Sequence, residues 1–291
     1  MPSTTSTRLI LRGVTLAALA LVGACGGDSS SPTGPGPAPE PGPGPQPAPA
    51  PAPAPAPTIQ GRPIFGLTCA NQLVLFGSGN PGTLARKVQI SGMPAGAAML
   101  GIDFRGGALY GVGSDSRVYT VDTLSGAATA AGGAFTPGAS GAHFGLAYDA
   151  AVGRLHLTGV ESNQIHTLDP ATGAAVGPVA EMAYGAGDTH AGTDPALSAA
   201  AYLGATLYGV ETNANSLVTV SPASGELTTV ADLPFNVYIC SGMDIDTDGK
   251  AYAALATDNG SELYTINLQS GATTLLGLIA GSPVHSIALR P

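Results

Sequence analysis

Apolar and polar residues alternate in short runs along this chain, and no stretch from residue 61 onward keeps the apolar spacing of an amphipathic helix. After Gly101 four such runs follow one another, at Ile102–Phe104, Ala108–Val112, Arg117–Val121 and Ala127–Ala131. Gly, Asp and Ser separate the runs, and hairpin turns need these residues because they tolerate positive φ or cap their own backbone. The pattern predicts four short antiparallel β-strands.

The same pattern returns along the chain. Related stretches start at Gly101, Phe144, Ala199 and Ser241, between 42 and 55 residues apart, and each has a Ser-Gly or Thr-Gly pair between its third and fourth runs. Such self-similarity indicates a stacked or radial repeat fold, because one unit cannot bury its apolar face alone. Four antiparallel strands per repeat are typical of a β-propeller blade.

A fifth repeat is split between the two ends of the repeat region. Ile64–Thr68, Gln72–Phe76 and Arg86–Ile90 are predicted as strands two to four of a blade, and Val284–Arg290 as a first strand without partners after it. Pairing of the C-terminal strand with the N-terminal blade would close the ring and remove exposed sheet edges. We therefore predict an all-β, five-bladed β-propeller over residues 61–291, with an open four-repeat sandwich or solenoid as the alternative.

The first 60 residues predict an export signal and a tether. Two arginines precede an apolar run over residues 13–23, which is shorter than the ~20 residues that span a bilayer. Leu21–Cys25 resembles a bacterial lipobox, which implies that residues 1–24 are a lipoprotein signal peptide and that Cys25 carries lipid. The alternative is an ordinary secretory signal with a chance cysteine. Residues 25–60 are rich in Pro, Ala and Gly and are predicted as a disordered, extended tether, rather than a ligand of proline-binding modules.

Charge and the residue after the lipidated cysteine refine this interpretation. Removal of residues 1–24 takes Arg8 and Arg12 from the ten basic residues and leaves eight against 19 acidic ones. Such a chain offers no basic patch, so we predict no nucleic-acid partner. Gly26 stands where an inner-membrane retention signal would have Asp. We therefore predict a protein anchored to the membrane by lipid on the extracytoplasmic side of the cell envelope, at the outer membrane if the host has one.

Several phrases of the repeat resemble one known family. GIDFR, LYGVGS, RVYTVD, AGTDPALSAAAY and ELYTINLQSGATTLLG together resemble the bacterial domain of unknown function 4394, over essentially residues 61–291. The resemblance implies a secreted or surface-anchored propeller-like domain. It implies no catalytic residue, because no activity is attached to the family.

Two cysteines remain once Cys25 is assigned to lipid. In an oxidising compartment an even pair predicts a disulfide, here between Cys69 and Cys240. In the predicted blade register both cysteines lie on the same face of neighbouring blades, so that a disulfide would link the first and last blades near the point where the ring closes. The alternative is two separate thiols.

Four aspartates form the candidate metal site, with Ca²⁺ as the candidate cofactor. Asp244, Asp246 and Asp248 copy the start of a calcium loop, but its twelfth position is Leu255, which cannot bind a metal. The same stretch is the predicted first hairpin of blade five and is sufficiently explained as a turn. Asp103 and Asp244 occupy equivalent positions of first strands near the ring axis, where they would either bind a cation or cap backbone amides of neighbouring blades.

The longest departure from the repeat is residues 181–195. Asp188, His190 and Asp194 make this segment a candidate binding loop, because function is often located on loops; the alternative is a set of solvated polar side chains.

The function predicted from these features is a non-catalytic binding module for a protein, peptide or glycan partner. No nucleophile elbow and no phosphate-binding loop occurs, so no catalytic residue is assigned. The alternatives are a metal-assisted hydrolase or lyase acting on an extracellular polymer at the propeller mouth, and a purely structural envelope component. An enzyme predicts at least three Asp or His side chains within ~5 Å at the mouth; a binding module predicts an exposed apolar or aromatic patch.

Overall fold

A computed structural model describes residue 36 and residues 57–290. The predicted signal peptide, Cys25 and most of the predicted tether lie outside the described residues. No helix among the described residues is long and apolar enough to cross a membrane.

The regular elements of the described region are all β-strands. In chain order they are β1 (Pro63–Thr68), β2 (Gln72–Gly77), β3 (Asn80–Gln89), β4 (Met99–Arg105), β5 (Ala108–Gly113), β6 (Val118–Val121), β7 (Ala128–Ala130), β8 (Phe144–Asp149), β9 (Arg154–Gly159), β10 (Gln164–Leu168), β11 (Ala180–Glu181), β12 (Ala183–Tyr184), β13 (Leu197–Leu203), β14 (Thr206–Glu211), β15 (Ser216–Val220), β16 (Glu226–Asp232), β17 (Tyr238–Ile245), β18 (Ala251–Thr257), β19 (Gly260–Ile266), β20 (Thr273–Leu278) and β21 (Val284–Leu289).

These strands form five blades. Blade 1 has the order β21-β1-β2-β3, blade 2 is β4 to β7, blade 3 is β8 to β11, blade 4 is β13 to β16 with β12 added, and blade 5 is β17 to β20. The innermost strands β21, β4, β8, β13 and β17 each contact the next around the axis, and β17 contacts β21. The ring is therefore closed, which confirms the five-bladed β-propeller, and the open alternative is wrong.

The C-terminal strand closes the ring as predicted. β21 pairs antiparallel with β1, with Phe65 opposite Ala288 and Gly66 opposite Ile287. Ala288 and Ile287 are both buried, so closure removes a sheet edge and adds apolar area to the core.

Glycines let the innermost strands approach one another. A Cβ at Gly101 would lie 2.7 Å from the Cβ of Leu146, and one at Gly242 would lie 2.5 Å from the Cα of Ser286. At the equivalent position of blade 1 the Ser286 hydroxyl accepts the Ile102 N–H across the blade boundary at 3.1 Å. The innermost strands therefore carry small residues at these positions because the strands lie close together around the axis.

The recurring Ser-Gly or Thr-Gly pair closes the turn between the third and fourth strands. In blade 2 the Asp122 side chain accepts the N–H groups of Leu124 and Ser125, at 3.0 and 2.7 Å. The following glycine has positive φ, which glycine adopts at little cost. The glycine of this turn has positive φ in four blades, with values of 76°, 73°, 77° and 66° at Gly126, Gly173, Gly225 and Gly271.

Two segments differ from the prediction. β3 begins at Asn80 instead of Arg86, because a bulged ladder with β2 extends it toward the turn. The predicted loop 181–195 contains short strands at its start: β11 ends in it and completes blade 3, and β12 pairs parallel with β16 as a fifth strand of blade 4. This pairing satisfies backbone groups of the loop at an otherwise open sheet edge.

Candidate functional site

The ring has two faces with different chemistry. On one, which we call the hairpin face, the innermost strands end and turn into the second strands; the other, which we call the cysteine face, carries Cys69 and Cys240. The four candidate aspartates lie on the hairpin face, and the candidate binding loop lies beside the outer strand of blade 4. The structure does not bring these three groups together.

Asp103 bridges two blades. Its Oδ1 accepts the N–H of Phe104 at 2.6 Å, and its Oδ2 accepts the N–H of Tyr148, in blade 3, at 2.6 Å. Burial raises the pKa of Asp103 well above its usual value, and the nearby Asp244 charge raises it further, against the lowering effect of the two hydrogen bonds.

Asp244 makes the same bridge between blades 5 and 1. Its Oδ1 accepts the N–H of Ile245 at 2.7 Å, and its Oδ2 accepts the N–H of Leu289 at 2.6 Å. Burial raises the pKa of Asp244 to about 7, although both hydrogen bonds and the Arg62 charge lower it. Both carboxyls thus cap backbone amides between blades, which was one of the two predicted interpretations.

A cavity of about 330 Å³ opens at the ring axis on this face. Asp103, Asp244 and Arg62 line it together with Tyr148 and Tyr202. The hydroxyl of Tyr202 hydrogen-bonds His156 Nδ1 at 2.8 Å, which holds the ring at the cavity wall. This cavity offers hydrogen-bond donors and acceptors to a small polar ligand.

The calcium-like stretch has the geometry of a hairpin turn. Asp246 Oδ1 accepts the N–H groups of Asp248 and Lys250, at 3.1 and 2.9 Å, and Gly249 has φ of 81°. Within the described residues, the four candidate aspartates do not supply three ligand atoms within 4.8 Å of one another. Calcium binding stays a prediction.

A second cavity, of about 500 Å³, lies on the hairpin face between blades 1 and 2 and shares Arg62 with the first. Arg86 and Arg290 also line it, above the buried rings and methyls of Phe65 and Leu75. We call it the arginine cavity. This cavity was not predicted because its cations form no local motif: Arg290 lies more than 200 residues along the chain from Arg62 and Arg86.

On the cysteine face the structure joins Cys69 to Cys240 by a disulfide, with their Cα atoms 7.6 Å apart. Cys240 has φ of 88°, which is unusual for a residue other than glycine. A ring nitrogen of His285 lies within 4.8 Å of both sulfurs. Burial lowers the pKa of His285 to about 4; a hydrogen bond to the Met99 backbone opposes the shift and the His143 charge adds to it.

The candidate binding loop is fastened to its neighbours. Its three polar side chains contact the outer strand of blade 4 or a turn of blade 3, away from the ring axis. The contacts are Asp188 Oδ2 with the Thr229 N–H at 2.6 Å, His190 Nε2 with Asp232 at 2.8 Å, and Asp194 with the Asn163 amide at 2.5 Å. These contacts hold the loop in place and do not assemble a site at the mouth.

Glu211 is a buried carboxylate that the sequence analysis did not predict. Glu211 is completely buried and accepts the N–H groups of Ala196 and Ala214, both at 2.6 Å, and the hydroxyl of Tyr184 at 3.0 Å. The only signal in the sequence is that LYGVE replaces LYGVG of the second blade at this position. The contacts anchor the end of the candidate binding loop.

Exposed apolar side chains occur on both faces. Leu124 and Val152 are 66% and 61% exposed on the hairpin face, and Tyr238 and Ile239 are 47% and 40% exposed on the cysteine face. Among the described residues, three Asp or His side chains do not converge at either mouth. The one group of three residues of a metal-binding type within 4.8 Å of one another is Cys69, Cys240 and His285, and its two sulfurs are joined in the disulfide.

Comparison with known proteins supports the fold. The family model described as domain of unknown function (DUF4394) matches residues 72–288, well over half of the chain. A solved protein of unknown function from Bacteroides caccae has 8% identity, with 80% of this chain and 100% of that chain covered, at a TM-score of 0.50. At this identity the likeness shows the fold alone.

Two further solved structures are similar at lower scores. A chain of a nidogen/laminin complex has 10% identity, with 79% of this chain and 98% of that chain covered, at a TM-score of 0.48. A glutaminyl cyclase from Myxococcus xanthus has 14% identity, with 70% and 82% covered, at 0.46. Comparison with curated proteins gave no significant match.

Proposed function

The chain belongs to the DUF4394 family, and we propose that it is a non-catalytic binding module: a lipid-anchored, extracytoplasmic β-propeller that holds its ligand on the hairpin face. The observation that carries the proposal is that this face has two adjoining cavities that share Arg62. Concave sites of a few hundred Å³ with a few polar groups are typical of ligand-binding pockets.

The side chains that would serve catalysis are used elsewhere. Asp103 and Asp244 each accept two backbone N–H groups, one from their own blade and one from the next. His190 pairs with Asp232 at the edge of blade 4. These contacts support a structural role for the predicted candidates and favour binding over turnover.

Ligand-observed NMR on the mature chain tests the proposal. The chain carries Cys25→Ser so that it stays free of lipid, and it is mixed with fragments that are anionic, cationic, neutral polar or saccharide. We expect some fragments to bind and to remain chemically unchanged after a day. Arg62→Gln should weaken binding, and Arg117→Gln, which removes a cation on the cysteine face, should not. Fragments that bind Arg62→Gln as well as the parent chain would overturn the assignment to the hairpin face.

The lipid anchor is the second part of the proposal. It is supported by Cys25 at the end of the apolar run and by the proline-rich tether that follows. Cells fed labelled palmitate should label the parent protein and leave Cys25→Ser unlabelled. In a host with an outer membrane, the labelled protein should fractionate there. Label retained by Cys25→Ser would contradict the lipidation site.

One observation favours an enzyme as the second candidate. Asp244 lines the axial cavity, and a pKa of about 7 would let its carboxyl donate or accept a proton near neutral pH. A metal-assisted hydrolase or lyase at this mouth would convert a fragment in the NMR experiment, and Asp244→Asn would abolish the conversion.

A further inference from the structure

We propose that the arginine cavity binds a small amphiphilic organic anion: an oxyanion such as a carboxylate or phosphate, joined to an apolar body. The inference rests on the proposed binding function and names the ligand class of the hairpin face.

The first observation is the charge. Arg62, Arg86 and Arg290 are three of only eight basic residues that follow residue 24, in a chain with 19 acidic ones. Within the described residues, none of the three forms an ion pair within 4.0 Å, whereas Arg117 and Arg154 both do. Arg62 and Arg86 interact with the charges of Asp244 and Asp122 only at longer range. Three cations thus meet at one cavity without a carboxylate within ion-pair distance, and an anion would complement them.

The second observation is the number of donors left over. A guanidinium has five N–H donors. Arg62 gives one to the Arg290 carbonyl at 3.2 Å, and Arg86 gives one to the Thr123 carbonyl at 3.0 Å. The Nε of Arg62 is buried without a partner among the described residues. These bonds fix where the side chains lie and leave donors for the planar, bidentate pairing that arginine makes with carboxylate or phosphate.

The third observation is the apolar lining. Phe65 and Leu75, which are 5% and 9% exposed, form the floor, and Leu124 stands 66% exposed at the rim. An inorganic anion would leave this surface uncovered, and a neutral apolar molecule would leave the guanidinium groups unpaired. A ligand with an oxyanion head and an apolar body satisfies both parts, and 500 Å³ is within the usual range for small-molecule sites.

Isothermal titration calorimetry tests the inference. It needs no tryptophan fluorescence, and this chain has no tryptophan. The mature chain with Cys25→Ser is titrated with decanoate and decyl phosphate below their micelle concentrations. Decyltrimethylammonium controls for the apolar body, and acetate and inorganic phosphate control for the head. We expect one saturable site for the two amphiphilic anions and binding at least about tenfold weaker for each control, which is about 1.4 kcal/mol.

Arg86→Gln should weaken decanoate binding about tenfold or more, because one charge-assisted contact is lost. Lys87→Gln is its matched control: it removes the same charge from the next residue of β3, which faces the other side of the sheet. Lys87→Gln should change the dissociation constant less than about twofold, which is about 0.4 kcal/mol.

A second pair of variants lies on exposed side chains, so that loss of folding does not obscure the result. Leu124→Glu places a negative charge at the rim of the cavity, and Val152→Glu places one on a distant hairpin of the same face; both parent side chains are more than half exposed. Leu124→Glu should weaken binding of the anions severalfold, and Val152→Glu should not.

Three outcomes of the calorimetric titrations would overturn the inference. They are equal binding of the decyl cation and the decyl anions, equal effects of Arg86→Gln and Lys87→Gln, and no saturable binding of either anion up to its micelle concentration. Binding to vesicles of anionic phospholipid without binding of the monomeric amphiphiles would point to a membrane surface and overturn it as well. If neutral or cationic fragments bind the hairpin face while anions fail, the binding module survives and the ligand class is wrong.

Discussion

Asp244→Asn probes whether the buried carboxyl is an inter-blade bridge. Its two oxygens accept the N–H groups of Ile245 and Leu289, and the second of these contacts joins blade 5 to the closing strand. At pH 5 the buried Asp244 carboxyl is protonated, but its hydroxyl oxygen can still accept a hydrogen bond, whereas an asparagine side chain has one acceptor oxygen and would turn an amide donor toward one of the two N–H groups. A buried donor without a partner costs about 1–3 kcal/mol, so we expect a loss of that size in the free energy of unfolding at pH 5.

The loss should depend on pH. Because burial raises the pKa of Asp244 to about 7, the folded protein keeps a proton that the unfolded chain releases near pH 4. The unfolded state therefore binds fewer protons between about pH 4 and 7, and this group makes the parent protein less stable as the pH rises through that window. Asparagine does not titrate, so the difference between parent and variant should shrink from pH 5 to pH 8.

Guanidinium unfolding followed by far-UV circular dichroism, from pH 4 to pH 8, measures both effects. The control is Asp248→Asn, which changes an exposed aspartate of the neighbouring turn and should alter the free energy of unfolding by less than about 0.5 kcal/mol. Equal stability of Asp244→Asn and the parent at pH 5, or a difference that grows toward pH 8, would refute the bridge.

Four further predictions concern the ring, its closure and its ions. Gly242→Ala should cost about 2–3 kcal/mol because its Cβ meets the backbone of the neighbouring blade, whereas Gly107→Ala, with no atom within 4 Å, should be neutral in the same unfolding assay. The exported parent protein should show no free thiol with Ellman's reagent, and Cys69→Ser should expose one thiol and cost about 2–4 kcal/mol, because the bridge closes a span of 171 residues; two free thiols in the parent would contradict the disulfide. His285 should remain neutral at pH 5.5 when its titration is followed by NMR, because its pKa in the folded protein is about 4. The free energy of unfolding should therefore fall as the pH is lowered from about 6.5 toward 4, and an NMR titration midpoint near pH 6.5 would show that the ring is exposed. If Asp246 only caps its two backbone N–H groups, calcium and chelator should leave the thermal midpoint unchanged, whereas a rise of the midpoint with calcium would support the predicted metal site.

The fold was predictable because its determinants are local and repeated. Each blade carries its own strand alternation and the same Ser-Gly or Thr-Gly turn, with glycine at positive φ in all four complete repeats. Ring closure was predictable because the N-terminal blade lacks its first strand and the C-terminal strand has no partners after it. β21 pairs with β1 as expected. The candidate binding loop was less predictable, since the pairing of β12 with β16 depends on an edge strand more than 40 residues away.

The sequence by itself determined the blade count, the turns and the equivalence of Asp103 with Asp244, because periodicity and turn chemistry act between near neighbours. It also determined the ring closure, because the N-terminal blade lacks a first strand and the C-terminal strand lacks partners. Only the tertiary structure decided what those aspartates contact, since their partners at Tyr148 and Leu289 lie 45 residues away in each case. It also brought Arg62, Arg86 and Arg290 to one cavity, which no local pattern could show. Charge convergence depends on how blades pack around an axis, and the spacing of residues along a chain does not carry that information.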